Sequence, residues 1–153
     1  MSSDIGETDP GGRTEAAWRA VYKLIVEREG QRRHYDAAES AGVTPAVLKA
    51  LLAVGEGEPL AMKDLADRFR CDPSYVTSLV DGLESAGLGE RQAHPADRRV
   101  KVVALTPTGE QTYHQVRKVL DQPPTWFEVL SDAELAELGR IVDKLLTAQA
   151  DGA

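Results

Sequence analysis

Apolar residues recur along this chain at three- and four-residue spacing, in runs cut by proline and glycine. At one place the spacing shrinks to two. Trp18, Val21, Tyr22 and Ile25 fall at i, i+3, i+4 and i+7, the signature of one helical face. This helix is expected to run on through Tyr35 and Ala38, to bend or weaken at Gly30, and to close at Gly42. Val47, Leu48, Leu51 and Leu52 predict a second helix over 45–54. Leu65, Ala66 and Phe69 predict a third over 61–69. Val76, Leu79, Val80 and Leu83 predict a fourth over 73–86, stopped by Gly87. Residues 88–93 and 100–105 then read as two strands around a turn at His94-Pro95-Ala96, the second with alternating character. A helix over 107–120 follows and cannot continue through Pro123-Pro124. Leu135, Leu138, Ile141, Val142 and Leu145 mark the last helix.

The helix starts are written in the sequence as well. Thr44-Pro45, Asp72-Pro73 and Thr106-Pro107 each set a capping side chain before a proline at the first helical position. Proline loses nothing there, because that N–H has no partner within the helix. Ser131-Asp-Ala-Glu134 has the spacing of a capping box. Arg70-Cys71 is short enough to be a tight link between the third and fourth helices.

Two helices joined by a tight turn and followed by a hairpin describe a winged helix-turn-helix. The fold class expected is therefore mainly α with a small β-hairpin wing, extended by N- and C-terminal dimerisation helices. The organisation reads as a disordered tail over 1–14, a dimerisation helix over 15–42 and a DNA-binding lobe over 43–106. C-terminal helices over 107–148 and a tail over 149–153 complete it.

Composition narrows the class of function. The 153 residues, 42% hydrophobic and 28% charged, are ordinary for a globular protein. The polar, acidic start MSSDIGETDPGG lacks the basic and apolar regions of a signal peptide. No apolar run approaches a membrane span. Cys71 is the single cysteine, so no intrachain disulfide is expected and a reducing cytoplasm is the simplest compartment. It sits between two helices, where a buried, inert thiol is expected. His34, His94 and His114 have no metal-ligand spacing and no CxxC is present, so neither metal nor cofactor is expected. P-loop, dinucleotide and GxSxG signatures are absent, so no enzyme is expected.

The net charge of −7 conflicts at first sight with a polyanionic partner. Residues 58–101 hold seven Lys/Arg and eight Asp/Glu, so most of the acidic excess lies elsewhere. Four of those seven cations fall within 91–101. Charge at the contacting face decides binding, and that face is close to neutral overall with a basic tip.

The fourth helix presents Ser74, Tyr75, Thr77, Ser78, Asp81 and Gly82 outward. Short hydroxyl side chains near a helix N-terminus suit entry into a major groove, and a solvated surface would carry similar residues. Arg98 and Arg99 sit at or beside the hairpin tip, where an arginine can enter a minor groove. Asp97 is expected to brace the wing by holding an arginine side chain. Lys63, Arg68, Arg70, Arg91 and Lys101 are candidate phosphate contacts. The terminal helices expose apolar stripes that need partners, and two-fold pairing with a second copy would also match a palindromic site. Trp18, Val21, Tyr22, Ile25, Leu135, Leu138, Ile141, Val142 and Leu145 are the expected dimerisation residues.

These features together resemble the MarR family of bacterial transcriptional regulators, over about residues 15–148. DRRVKVVALTPTG (97–109) fits the family's wing pattern, LADRFRCDPSYVTSLVDGLESAGL (65–88) its helix-turn-helix, and VTPAVLKALLAV (43–54) the helix before it. The resemblance implies an obligate homodimer on double-stranded DNA, with Arg99 in the minor groove and Ser74, Tyr75, Thr77 and Ser78 in the major groove. It implies release by a small aromatic effector bound between the dimer region and the DNA-binding lobe. Gly82 stands where relatives commonly carry arginine, which implies one phosphate contact fewer. No cysteine lies in the N-terminal helix, so thiol sensing placed there is not supported. The expected function is a homodimeric repressor on a pseudo-palindromic operator. The alternatives are a winged-helix interaction module that has lost tight DNA binding, motivated by the net charge and Gly82, and a small-molecule-binding dimer.

Overall fold

The computed structural model describes residues 10–25 and 30–151. It divides into two compact units, Met1–Leu120 and Asp121–Ala153.

In the first unit, α1 (Pro10–Tyr22) and α2 (Gly30–Ser40) replace the single long helix expected from the periodicity. Helix α2 begins at Gly30, where a bend was expected. Residues 10–14, expected in a disordered tail, open α1, with Pro10 at a position that suits its fixed φ. Residues 1–9 lie outside the described residues. The small side chains Ala37 and Ala38 form the buried face of α2, while Tyr35 stays exposed.

Helix α3 (Pro45–Gly55) starts as its sequence dictates: the Val47 N–H donates to Thr44 Oγ1 at 3.2 Å. Helices α4 (Met62–Phe69) and α5 (Pro73–Ser85) follow within one residue of expectation. Asp72, expected to cap α5 with its side chain, makes no such bond; only its carbonyl is used, accepting from the Tyr75 and Val76 N–H groups. Leu48, Leu51, Leu65, Val76, Val80, Leu83 and Val103 close a core among α3, α4, α5 and the sheet.

The sheet has three strands rather than the two of a simple hairpin. Strand β1 (Leu60–Ala61) pairs antiparallel with β3 (Lys101–Leu105), and β3 pairs with β2 (Gly89–Ala93). Their order β1-β3-β2 makes β3 the central strand. Val102 and Val103, which point to opposite faces of the sheet, are both buried, so the alternation expected of β3 is not kept. Helix α6 (Pro107–Leu120) ends the first unit.

The second unit holds a 3-10 turn over Thr125–Val129 and helix α7 (Asp132–Asp151). The capping box at its start is formed. The Ser131 N–H donates to Glu134 Oε2 at 2.9 Å, and the Glu134 N–H returns to Ser131 Oγ at 3.4 Å. Helix α7 continues through Gln149 and Ala150, good helix formers expected in a tail. No single described helix is long and apolar enough to cross a membrane.

Candidate nucleic-acid interface

Helices α4 and α5 are joined by a turn in which Arg70 adopts the left-handed conformation, φ 49° and ψ 49°. A side chain there costs about 1 kcal/mol or more. The turn offsets this with two bonds closing α4, from Arg70 N–H to Asp67 O at 3.2 Å and from Cys71 N–H to Ala66 O at 3.1 Å. The tight link expected at Arg70-Cys71 is thus a left-handed helix stop. Cys71, expected to be buried, is partly exposed.

From this turn α5 presents Ser74, Tyr75, Thr77 and Ser78, all exposed. Thr77 Oγ1 donates to Pro73 O at 3.0 Å and Ser78 Oγ donates to Ser74 O at 3.3 Å. Their hydroxyl protons are satisfied within the helix, while their lone pairs face outward as acceptors. A hydroxyl that rotates can instead donate to a base edge or phosphate. Tyr75, 49% exposed, adds an apolar surface with a polar tip. The only charged side chains on α5 are Asp81 and Glu84.

Gly82 does not belong to this outward face. A Cβ there would lie 2.5 Å from Val47 Cγ2, so glycine is what lets α5 approach α3. Gly82 thus has a packing role beside the lost phosphate contact that the resemblance implies.

The wing loop is longer than His94–Ala96. It spans residues 94–100 and is closed by the His94 N–H on Val100 O at 2.9 Å. Asp97 braces it, though not through an arginine side chain as expected. Its Oδ1 accepts from the Arg99 backbone N–H at 3.0 Å, and its carbonyl accepts from the Val100 N–H at 3.0 Å. His94 Nδ1 accepts from the Ala96 N–H at 3.1 Å. Arg98 and Arg99 therefore sit on a loop whose backbone is fixed, with both side chains exposed.

Two of the expected phosphate contacts are engaged within the protein. Arg68 pairs with Glu56. Arg91, on β2, donates from Nη2 to Asp81 Oδ1 at 2.6 Å and to Thr77 O at 3.2 Å, and from Nη1 to Glu84 Oε2. Its backbone N–H also donates to Glu84 Oε1 at 2.9 Å. Partial burial works against the guanidinium charge, but the bond to Asp81 and the charges of Glu84 and Asp81 outweigh it and raise its pKa. Arg91 is therefore held against α5 and does not stand free for phosphate. Among the described residues Lys63, Arg70, Arg98, Arg99 and Lys101 are exposed and in no ion pair.

At the base of the wing, the expected helix stop Gly87 and helix start Thr106 meet in one junction with Leu88 and Gly109, a contact the sequence pattern did not show. Gly87 has φ +69°, and behind it the Leu88 N–H returns to Leu83 O at 2.9 Å, ending α5. Thr106 Oγ1 donates to Gly87 O at 2.6 Å and accepts from the Gly109 N–H at 3.0 Å. The Thr106 N–H donates to Leu88 O at 3.1 Å. A Cβ on Gly109 would lie 1.8 Å from Leu88 O, so only glycine fits. The Thr-x-x-Gly spacing after β3 is the sequence signal for this junction.

The terminal residues expected to dimerise are exposed in the single chain. On α1, Trp18 is 64% exposed and stacks at a tilt on Tyr22, 6.1 Å between ring centroids. Val21 and Ile25 are exposed beside them. No described side chain of α7 is buried, and Leu135, Leu138, Ile141, Val142 and Leu145 are all exposed.

Comparison with known proteins decides among the readings of this geometry. The family model described as MarR family matches residues 43–101, from α3 to the start of β3. The chain is 31% identical over 116 residues to the HTH-type transcriptional repressor MdtR of Bacillus subtilis, covering 74% of each chain. The chain belongs to the MarR family. The transcriptional regulator BldR from Sulfolobus solfataricus superposes with a TM-score of 0.64 at 27% identity, over 94% of this chain and 99% of that one. Apo MarR from E. coli shares the fold at 23% identity, with a TM-score of 0.66 over 83% of this chain and 96% of that one. This MarR-family protein is thus a winged-helix, DNA-binding transcriptional regulator, and its curated relatives are regulators rather than enzymes.

Proposed function

We propose that this regulator works as a homodimer that represses transcription from a pseudo-palindromic operator and is released by a small-molecule effector. Helix α7 carries the dimer part of this reading. It is a 20-residue helix with an apolar stripe and no buried side chain among its described residues. Covering Leu135, Leu138, Ile141, Val142 and Leu145 would be worth on the order of 1 kcal/mol each. A second copy of the chain supplies a matching stripe by symmetry. With α1 adding Trp18, Val21, Tyr22 and Ile25, the clasp would set two α5 helices at successive turns of a duplex. In each lobe Ser74, Tyr75, Thr77 and Ser78 would meet the major groove and Arg98 and Arg99 the minor groove. Lys63 and Arg70 would contact phosphates.

A cavity of about 300 Å³ supports the effector part. It lies among the end of α3, β3 and α6, lined by Gly55, Leu105, Glu110, Tyr113 and His114. That volume is at the lower end of the range that holds small ligands. The Tyr113 and His114 rings meet edge to face at 5.3 Å, a setting for a flat aromatic ligand, while Glu110 disfavours a carboxylate on it.

Selection of bound duplexes from random sequence tests the whole reading. The expected result is an inverted repeat with half-site centres about 10 base pairs apart, bound by a species that sedimentation shows to be a dimer. A monomer in solution, or a selected site without two-fold symmetry, overturns it. Calorimetry with phenols then tests the effector, for which uniformly absent heats are the contrary result.

A further inference from the structure

We propose that Arg91 is a positioning residue for sequence reading: it clamps the wing strand to α5 and so fixes the angle at which the helix and the wing meet DNA together. The inference rests on the reading of α5 and the wing as the two DNA-contacting elements.

Three observations carry it. The guanidinium spans two successive turns of α5, binding the Thr77 carbonyl and Asp81 on one side and Glu84 on the other. The Glu84 carboxylate in turn binds the Arg91 backbone N–H, so side chain and main chain of β2 are both tied to the same helix. The Arg91 side chain is 26% exposed against 60% for Asp81 and 36% for Glu84, so the cluster lies at the surface, and a planar fork with several donors fixes direction as well as distance. One of the bonds ends at the main chain of Thr77, an exposed residue of the proposed reading face. A shift at the clamp therefore moves a reading residue.

The clamp also eases a charge problem. Helix α5 has two carboxylates and no cation. Left free, Asp81 and Glu84 would repel phosphates on either side of a groove. Arg91 offsets one of the two negative charges and draws both carboxylates toward β2.

A phosphate-contact role predicts the opposite behaviour, and this makes the two separable. Wild type, Arg91→Lys, Arg91→Ala and the double variant Asp81→Asn/Glu84→Gln are compared for binding to the selected operator and to random duplex, across salt, after melting curves confirm folding. The clamp predicts that every variant loses about tenfold or more in the operator-to-random ratio, the scale of one mismatched base pair. Arg91→Lys keeps the charge and loses the fork, so its salt slope should stay at the wild-type value. The double variant frees Arg91 and removes two negative charges. It should bind random duplex more tightly and yet discriminate worse. A drop of about 0.9 per protomer in log–log salt slope for Arg91→Ala, with equal losses on both duplexes, identifies a phosphate contact and overturns the clamp. So does a double variant that discriminates as well as wild type, and this arm stands even if Arg91→Ala fails to fold. A wild type that selects no sequence overturns the DNA-reading assignment itself, and the clamp with it.

Discussion

Replacing Gly82 with alanine should destabilise this protein, against the ordinary preference of a helix. Inside a helix, alanine is favoured over glycine by about 1 kcal/mol. Here the added methyl would sit 2.5 Å from Val47 Cγ2, more than about 1 Å inside the 3.5–4.0 Å optimum for two carbons. Val47 is buried and β-branched, with few rotamers to move into. Overpacking of this kind costs about 1–3 kcal/mol, so the net expected change is a loss of roughly 0–2 kcal/mol. Val47→Ala alone removes two methyl groups and should cost about 1.5 kcal/mol before any cavity term. In the double variant the alanine at 82 occupies space that Val47 has vacated. The combined loss should then fall short of the sum by about 1–3 kcal/mol. Urea unfolding at one fixed protein concentration measures all four corners of the cycle. A stabilising Gly82→Ala, or losses additive within about 0.5 kcal/mol, would show that the close approach of α5 to α3 is not real.

Three further substitutions probe other parts of the argument. Gly109→Ala drives a methyl into the Leu88 carbonyl and should cost about 3 kcal/mol, lowering Tm by roughly 6–12 °C; a melting point at or above wild type refutes the junction. Arg99→Ala should weaken operator and random DNA alike and reduce the salt slope by about 0.9 per protomer, whereas unchanged binding to both would remove the wing from the interface. Glu134 is held below its ordinary pKa of 4.5 by the backbone N–H of Ser131 and then by its hydroxyl. A depressed carboxylate stabilises the fold above its unfolded pKa and loses that contribution as pH falls through the folded value, so the start of α7 should weaken in acid. Carbon-13 titration of Ser131→Ala, which keeps the backbone N–H, should find the Glu134 pKa moved part of the way up toward 4.5, and an unmoved value refutes the part of the hydroxyl in the cap.

What the sequence disclosed was local. Thr44-Pro45, Thr106-Pro107 and Ser131–Glu134 act within four residues, so their chemistry is visible in a linear reading. The face of α5 was legible for the same reason, since Val76, Leu79, Val80 and Leu83 mark one side and leave Ser74, Tyr75, Thr77 and Ser78 on the other. What escaped was set by contacts distant along the chain. Strand β1 is two residues long, too short for a period, and its pairing with Val102 and Val103 is what makes β3 the central strand. Gly82 faces outward on a wheel drawn for α5 alone, and only the presence of α3 turns it into a contact. Arg91 looked like a free cation because its partners Asp81 and Glu84 lie on another element. The role of Asp97 was right in place and wrong in atom: a short side chain reaches the nearby backbone N–H more easily than a mobile guanidinium.

The junction of Gly87, Leu88, Thr106 and Gly109 leaves no slack between the end of α5 and the first turn of α6. If α5 reads DNA as proposed, a ligand that twisted α6 would have in these contacts a direct mechanical route to α5.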